Sequence, residues 1–197
     1  MQHDPLPRHG QRITLRRLSL ADLEAFQAYR SDPIVGLYQS WTPLSQDAAA
    51  TFLEQMSREP FGTLGEWLQI GIAERQSRRL IGDIGVLLHA QPSGVGELGV
   101  TLARAAQGRG LAAEAVGAAI ALLFDSTEVT RIEATTDARN LPSIRLWETM
   151  GMRRTRTAQV TFRGEICEEW SYMLARPAAS AAGAEGSHLL SARGRAT

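Results

Sequence analysis

Residues 105–124 read AAQGRGLAAEAVGAAIALLF: two glycines and an arginine stand immediately ahead of a long run that is small, apolar and almost uncharged. The spacing predicts a helix over 108–124, apolar nearly all round from residue 113, with Gly117 and the alanines permitting close approach to a sheet. Burial of that helix fixes where its N-terminus lies. Such an end leaves backbone N–H groups without intrahelical acceptors and carries about half a positive charge. Gly108 and Gly110 let an anion come close to those groups, so a phosphate is the ligand that suits them. Arg109 adds charge at the rim, and Gln107 offers a side-chain amide donor. The competing reading is that the two glycines only shape a loop.

Outward from this run the chain reads as one mixed α/β (α+β) domain. On its N-terminal side, RITLRRLSL (12–20) alternates as a half-buried strand, and Ser19 with Asp22 forms a capping signature for a helix that Asp32-Pro33 stops. Ser45 caps a second helix, QDAAATFLEQMSRE. EWLQIGIAE, RLIGDIGVLL and VGELGVTL then read as three strands in a meander. On the C-terminal side come the strand RIEATTD, a helix from Asn140 to the stop signal at Gly151, and two closing strands over 152–164 and 165–174. The order is β-α-α-β-β-β-α-β-α-β-β, without internal repeat. Residues 1–11 read as a flexible N-terminus, 12–176 as the folded domain, and 177–197 as a small-residue tail too poor in apolar side chains to order itself.

Composition removes several classes of chemistry. The formal net charge is +0, and Lys+Arg 21 balances Asp+Glu 21, so no overall field favours nucleic acid or an acidic membrane surface. All of the basic residues are arginines, which excludes a lysine nucleophile, a Schiff base and a phosphate-binding P-loop. Cys167 is the single cysteine, so there is no internal disulfide, and a reducing compartment is favoured. His3, His9, His89 and His188 are scattered, so no metal site is indicated. Without a signal-like N-terminus or a membrane-length apolar run, the chain reads as soluble and cytoplasmic.

The string GRGLAA formally fits the dinucleotide fingerprint G-x-G-x-x-A, but residues 103–107 separate it from an antiparallel meander, where that fold needs the end of a parallel strand. Gln107-Gly108-Arg109-Gly110-Leu111-Ala112 instead resembles the Q/R-x-x-G-x-G/A loop of the GNAT acyltransferases. Downstream, Asn140, Ser143, Leu146, Trp147, Gly151 and Met152 are similar to that family's N-x-x-S-x-x-L-Y-x-x-x-G-F segment. The resemblance covers about residues 12–176, and the wording of TDARNLPSIRLWE and ITLRRLSLADLEAF looks most like the ribosomal-protein N-acetyltransferase (RimJ/RimL-like) branch.

The resemblance implies a mostly antiparallel sheet of six to seven strands flanked by about four helices. It also implies acetyl-CoA as co-substrate, and direct attack of an amine through a tetrahedral intermediate. Backbone groups of Glu97, Leu98, Gly99, Val100, Thr101 and Leu102 would pair with the pantetheine arm, Gly99 marking a bulge that opens the gap. Asn140, Ser143 and Trp147 would contact the cofactor. Trp147 stands where the family often has a tyrosine acid, so Ser143 becomes the donor for the leaving thiolate. An alkylammonium of pKa about 10 must lose a proton before it attacks, and Glu97 is the first choice of base, with Asp83, Glu168 and Glu169 in reserve as bases or contacts for a cationic substrate. Tyr38 and Trp41 lie in the irregular loop where the family places acceptor contacts. Expected partners are a small-molecule or peptide amine, and exposed C-terminal edge strands make a homodimer plausible. A CoA-binding module without turnover, prompted by Trp147, and a dinucleotide-dependent oxidoreductase are the rival readings.

Overall fold

The computed structural model describes residues 4–178. The expectation of an unordered tail therefore falls almost wholly outside the described residues, as do His3 and His188. Eight strands form one sheet: β1 (Arg8–His9), β2 (Ile13–Arg17), β3 (Trp67–Glu74), β4 (Leu80–Leu88), β5 (Val95–Leu102), β6 (Arg131–Asp137), β7 (Arg153–Phe162) and β8 (Glu165–Ala175), in spatial order β1-β2-β3-β4-β5-β6-β8-β7. Every neighbouring pair is antiparallel except β5 and β6, whose parallel contact is made possible by the helical crossover between them.

Among the described residues four α-helices complete the fold: α1 (Leu23–Arg30), α2 (Gln46–Arg58), α3 (Leu111–Ser126) and α4 (Leu141–Thr149). Ser45 caps α2, its hydroxyl accepting from Ala48 N–H at 3.3 Å, while Ala49, Leu53 and Met56 supply the buried stripe. Ahead of α1, the Asp22 carboxylate accepts from Ser19 N–H at 2.9 Å and is gripped by both terminal nitrogens of Arg16 at 2.7 and 2.8 Å. Strand alternation separates the two faces of the sheet. On β4, odd-numbered Asp83 meets Tyr29 and Arg30 of α1, whereas a side chain at Gly96, opposite even-numbered Leu88, would touch Leu123 of α3. Thus α1 and α2 cover one face, and α3 the other.

Two expectations change. The strand count rises to eight because residues 1–11 are not wholly a flexible lead. The chain turns back at Gly10, whose N–H bonds to Ile13 C=O at 2.9 Å, so Arg8 and His9 pair with Leu15 and Thr14. The helix expected from residue 108 begins at Leu111, since Gly108 (φ 70°) and Gly110 (φ 75°) are both left-handed and cannot continue a right-handed helix. No helix among the described residues is long and apolar enough to cross a membrane.

Candidate active site

The site begins where β5 and β6 part. Their pairing is confined to Val95, Gly96 and Glu97 against Arg131, Ile132 and Glu133, although β5 continues to Leu102 and β6 to Asp137. Beyond Glu97 the sheet therefore opens as a wedge. On its other side β5 pairs with β4 without a register break. His89 N–H bonds Val95 C=O at 3.0 Å and Ala103 N–H bonds Ile81 C=O at 2.8 Å, which fixes the alternation. Odd-numbered residues of β5 are committed to β4, and Leu98, Val100 and Leu102 turn their N–H and C=O groups into the wedge. Of the residues expected to pair with a pantetheine arm, Leu98, Val100 and Leu102 are so placed. Gly99 and Thr101 are not, because their backbone groups belong to the β4 ladder, and Gly99 is no bulge. A side chain at Gly99 would meet nothing within 4 Å, so its absence instead leaves open space on the α1 face beside Glu97.

Both strands run toward the mouth of the wedge, and a helix starts at the end of each. At the first, Glu114 N–H makes the opening helical bond to Gly110 C=O at 3.2 Å, and the amides of residues 110–113 have no acceptor among the described residues. A side chain at Gly108 would again meet nothing within 4 Å. The amides are therefore reachable from outside. Arg109 and Gln107 are otherwise engaged than expected. The Arg109 guanidinium sits 3.2 Å from Glu74, and the Gln107 amide donates to Leu102 C=O at 2.9 Å, which ties the loop to the end of β5. The cation that overhangs the glycines is Arg12: it donates to Arg109 C=O at 2.9 Å, and its Nη2 lies 3.4 Å from where a Gly110 side chain would begin. Arg12 also neutralises Glu114, whose carboxylate takes the Arg12 N–H at 2.7 Å and the guanidinium at 2.9 Å. Burial would raise the Glu114 carboxyl, but these bonds outweigh it and hold the group below its ordinary range. Leu111 is buried and anchors the first turn, with Ala112 half-buried beside it.

At the second helix, Asn140 is the N-cap, its side-chain oxygen accepting from Ser143 N–H at 3.3 Å. The half-buried Ser143 hydroxyl has no partner among the described residues. Trp147, at 2% exposure, is packed in the core.

The carboxylates sort themselves by strand parity. Glu97 is half-buried at the apex of the wedge, with His89 Nε2 3.1 Å from its Oε2. Burial raises its pKa, His89 pulls the other way, and the nearby charges of Glu133 and Glu169 raise it further, leaving it above the ordinary carboxylate value. Asp83 does not reach the cleft as a substrate contact. It is 1% exposed, accepts from the Tyr29 hydroxyl, and holds the Arg30 guanidinium at 2.8 and 2.9 Å. Glu168 is also excluded as an acceptor contact, because its odd-numbered neighbour Glu169, opposite Asp137, shares the face of Glu97, while Glu168 turns to the other face and accepts from the Trp170 indole.

The irregular loop between α1 and α2 roofs the α1 side of the wedge. Tyr38 O–H donates to Arg139 C=O at 3.5 Å, bridging the loop to the corner that leads into α4. Trp41 packs on Gly36 and stacks over the Arg30 guanidinium at 4.5 Å, so it shapes the loop rather than standing free as a platform. Gln39 reaches into the wedge and donates to Val100 C=O at 3.4 Å. Sequence reading missed Arg12, Gln39 and the role of His89. Only the last had a signal: in the β4–β5 hairpin, residue 89 follows Leu88 and so lies near the strand carrying Glu97.

Residues 12–153 match the Acetyltransferase (GNAT) domain family. An N-acetyltransferase of Bacillus licheniformis named p20, uncharacterised in its own right, is 32% identical over 146 residues, covering 74% of this chain and 82% of its own. The crystal structure of a GNAT-family acetyltransferase from Bacillus anthracis superposes with a TM-score of 0.75 at 23% identity, over 86% of this chain and 98% of that one. The microcin C7 self-immunity acetyltransferase MccE, solved in complex with acetyl-CoA and AMP, gives 0.73 at 16% identity, over 85% and 94%.

Proposed function

This chain belongs to the GNAT acetyltransferase family, and from that premise we propose that it moves an acetyl group from acetyl-CoA to a primary amine by direct attack, with no covalent enzyme intermediate. One observation carries the reading: the open even-numbered edge of β5 and the N-termini of α3 and α4 face a single gap. A long ligand with an anionic diphosphate and an amide-bearing arm matches that sequence of groups. Free amides at residues 110–113, with Arg12 beside them, hold the diphosphate. Leu98 and Val100 pair with the amides of the arm. An N–H on this edge, pointing at the thioester carbonyl, stabilises the charge that builds there.

At the apex, Glu97 takes the proton from the acceptor ammonium, directly or through water, and His89 holds its carboxylate in place. Ser143 supplies a hydrogen bond to the departing thiolate, which leaves well enough near its own pKa for turnover without a tyrosine. Glu97 and Glu169, on the same face of the sheet, favour a cationic amine such as a peptide N-terminus, a polyamine or an aminoglycoside, while Glu133 is paired with Arg131 at 2.7 Å. The sequence wording that resembles the ribosomal-protein branch favours the first of these. Free-thiol release from acetyl-CoA, followed with an alanine-initiated peptide, spermidine and kanamycin, tests the reading. At least one should release thiol stoichiometrically with acetylated amine. Heat of CoA binding without any thiol release would identify a binding module instead.

A further inference from the structure

The β7–β8 hairpin turns through Arg163 and Gly164, with φ of 50° and 84°, between the paired residues Phe162 and Glu165. A two-residue turn with positive φ at both positions is the tight hairpin form that Asn-Gly or Gly-Gly fills without strain. Arginine at its first position is unusual, because an ordinary side chain disfavours that backbone region. Such an outlier calls for a compensating contact.

The contact lies more than a hundred residues away. Arg163 Nη2 donates into a nest of three carbonyls, those of Gly36 at 2.9 Å, Gln39 at 3.1 Å and Trp41 at 3.4 Å. These belong to the loop that roofs the acceptor side of the wedge. From below, the same loop rests on Arg30 through Trp41, and toward α4 it is joined by Tyr38. Its own bonds are local turns, Gly36 N–H to Asp32 C=O at 2.9 Å and Gln39 N–H to Gly36 C=O at 3.1 Å. The regular elements reach it through side chains, Gln39 on the Val100 C=O of β5 and Trp41 on Arg30 of α1. Arg163 is the tie from the far hairpin.

We propose that Arg163 is a positioning residue that latches the Gly36, Gln39 and Trp41 backbone over the acceptor mouth, and so sets affinity for the amine without touching it. The functional half of this proposal rests on the acetyltransfer reading above; the latch itself does not. Arg163→Asn separates the two effects, since it installs the turn pair that this hairpin geometry prefers while removing the guanidinium. Three results are expected. The melting temperature of R163N holds or rises. Hydrogen exchange at the Gly36 and Gln39 amides quickens by about tenfold while that of β7 and β8 is unchanged. With the fastest amine of the peptide, spermidine and kanamycin panel, acceptor KM rises by about tenfold while the KM for acetyl-CoA stays within about twofold. Arg163→Lys, which keeps a donor, recovers part of the exchange protection. Unchanged exchange at Gly36 and Gln39 in R163N overturns the latch, whether or not any amine is turned over. Faster exchange with an unaltered acceptor KM overturns the positioning role, whereas a wild-type protein that releases no thiol counts against the acetyltransfer reading alone.

Discussion

Gly110→Val is expected to weaken acetyl-CoA binding by about 100-fold, equivalent to about 2.7 kcal/mol, while the protein still folds. Gly110 caps α3 at φ 75° and ψ 6°, a conformation in which a β-branched residue is strained. Relief of that strain twists the capping peptide, and with it the amides that follow. Its side chain would also start 3.4 Å from Arg12 Nη2, so the branched carbons beyond Cβ crowd the guanidinium that overhangs the loop. Each charge-assisted hydrogen bond lost to an anion is worth about 1.5–3 kcal/mol, so misdirecting one or two amides suffices. The strain itself, about 1–2 kcal/mol, lowers the melting temperature by only several degrees in a domain of this size, at about 2–4 °C per kcal/mol. Isothermal calorimetry and thermal melting of the same preparation check both halves. Wild-type affinity in the variant would mean that the α3 terminus does not carry the diphosphate.

Glu97→Gln should lower kcat/KM by about 10²- to 10³-fold at neutral pH with acetyl-CoA affinity intact. The pH profile is the sharper test. A general base works in its ionised form, so activity falls as pH drops through the Glu97 pKa. Burial, together with Glu133 and Glu169, raises that pKa against the pull of His89, and the acid limb should lie above the ordinary carboxylate range. His89→Ala removes the one influence that lowers it, so the limb should move to higher pH. In Glu97→Gln the limb should vanish. A variant that keeps both its rate and its acid limb would place the base elsewhere.

The features that were legible in the sequence are those written locally. The glycine loop and the apolar helix after it, the caps at Ser45 and Asn140, and the order of strands and helices all depend on residues within a turn or two of one another. What escaped depends on register and on distant partners. Alternation along VGELGVTL does not say which carbonyls face β4, and only the β4–β5 pairing separates Gly99 and Thr101 from Leu98 and Val100. Glu168 and Glu169 are adjacent in sequence, yet the register against β6 sends one to each face. Asp83 reads as an available carboxylate until Tyr29 and Arg30, over fifty residues earlier, close on it. Trp147 sits in a motif that suggests cofactor contact, and its burial depends on how a nine-residue helix packs, which the motif does not spell out. Glu114 lies in the first turn of α3, where an acid suits the helix dipole, but its partner Arg12 comes from just before β2, 102 residues earlier.

An amide NMR titration of the full chain with CoA reads directly which backbone groups hold the cofactor. The largest shifts should fall on Gly110, Leu111, Ala112 and Ala113 at the start of α3 and on Leu98 and Val100 along the open edge of β5, with Gly99 and Thr101, whose amides already bond to β4, much less affected. Shifts that miss the α3 terminus, or that follow the odd-numbered residues of β5 instead, would contradict that placement.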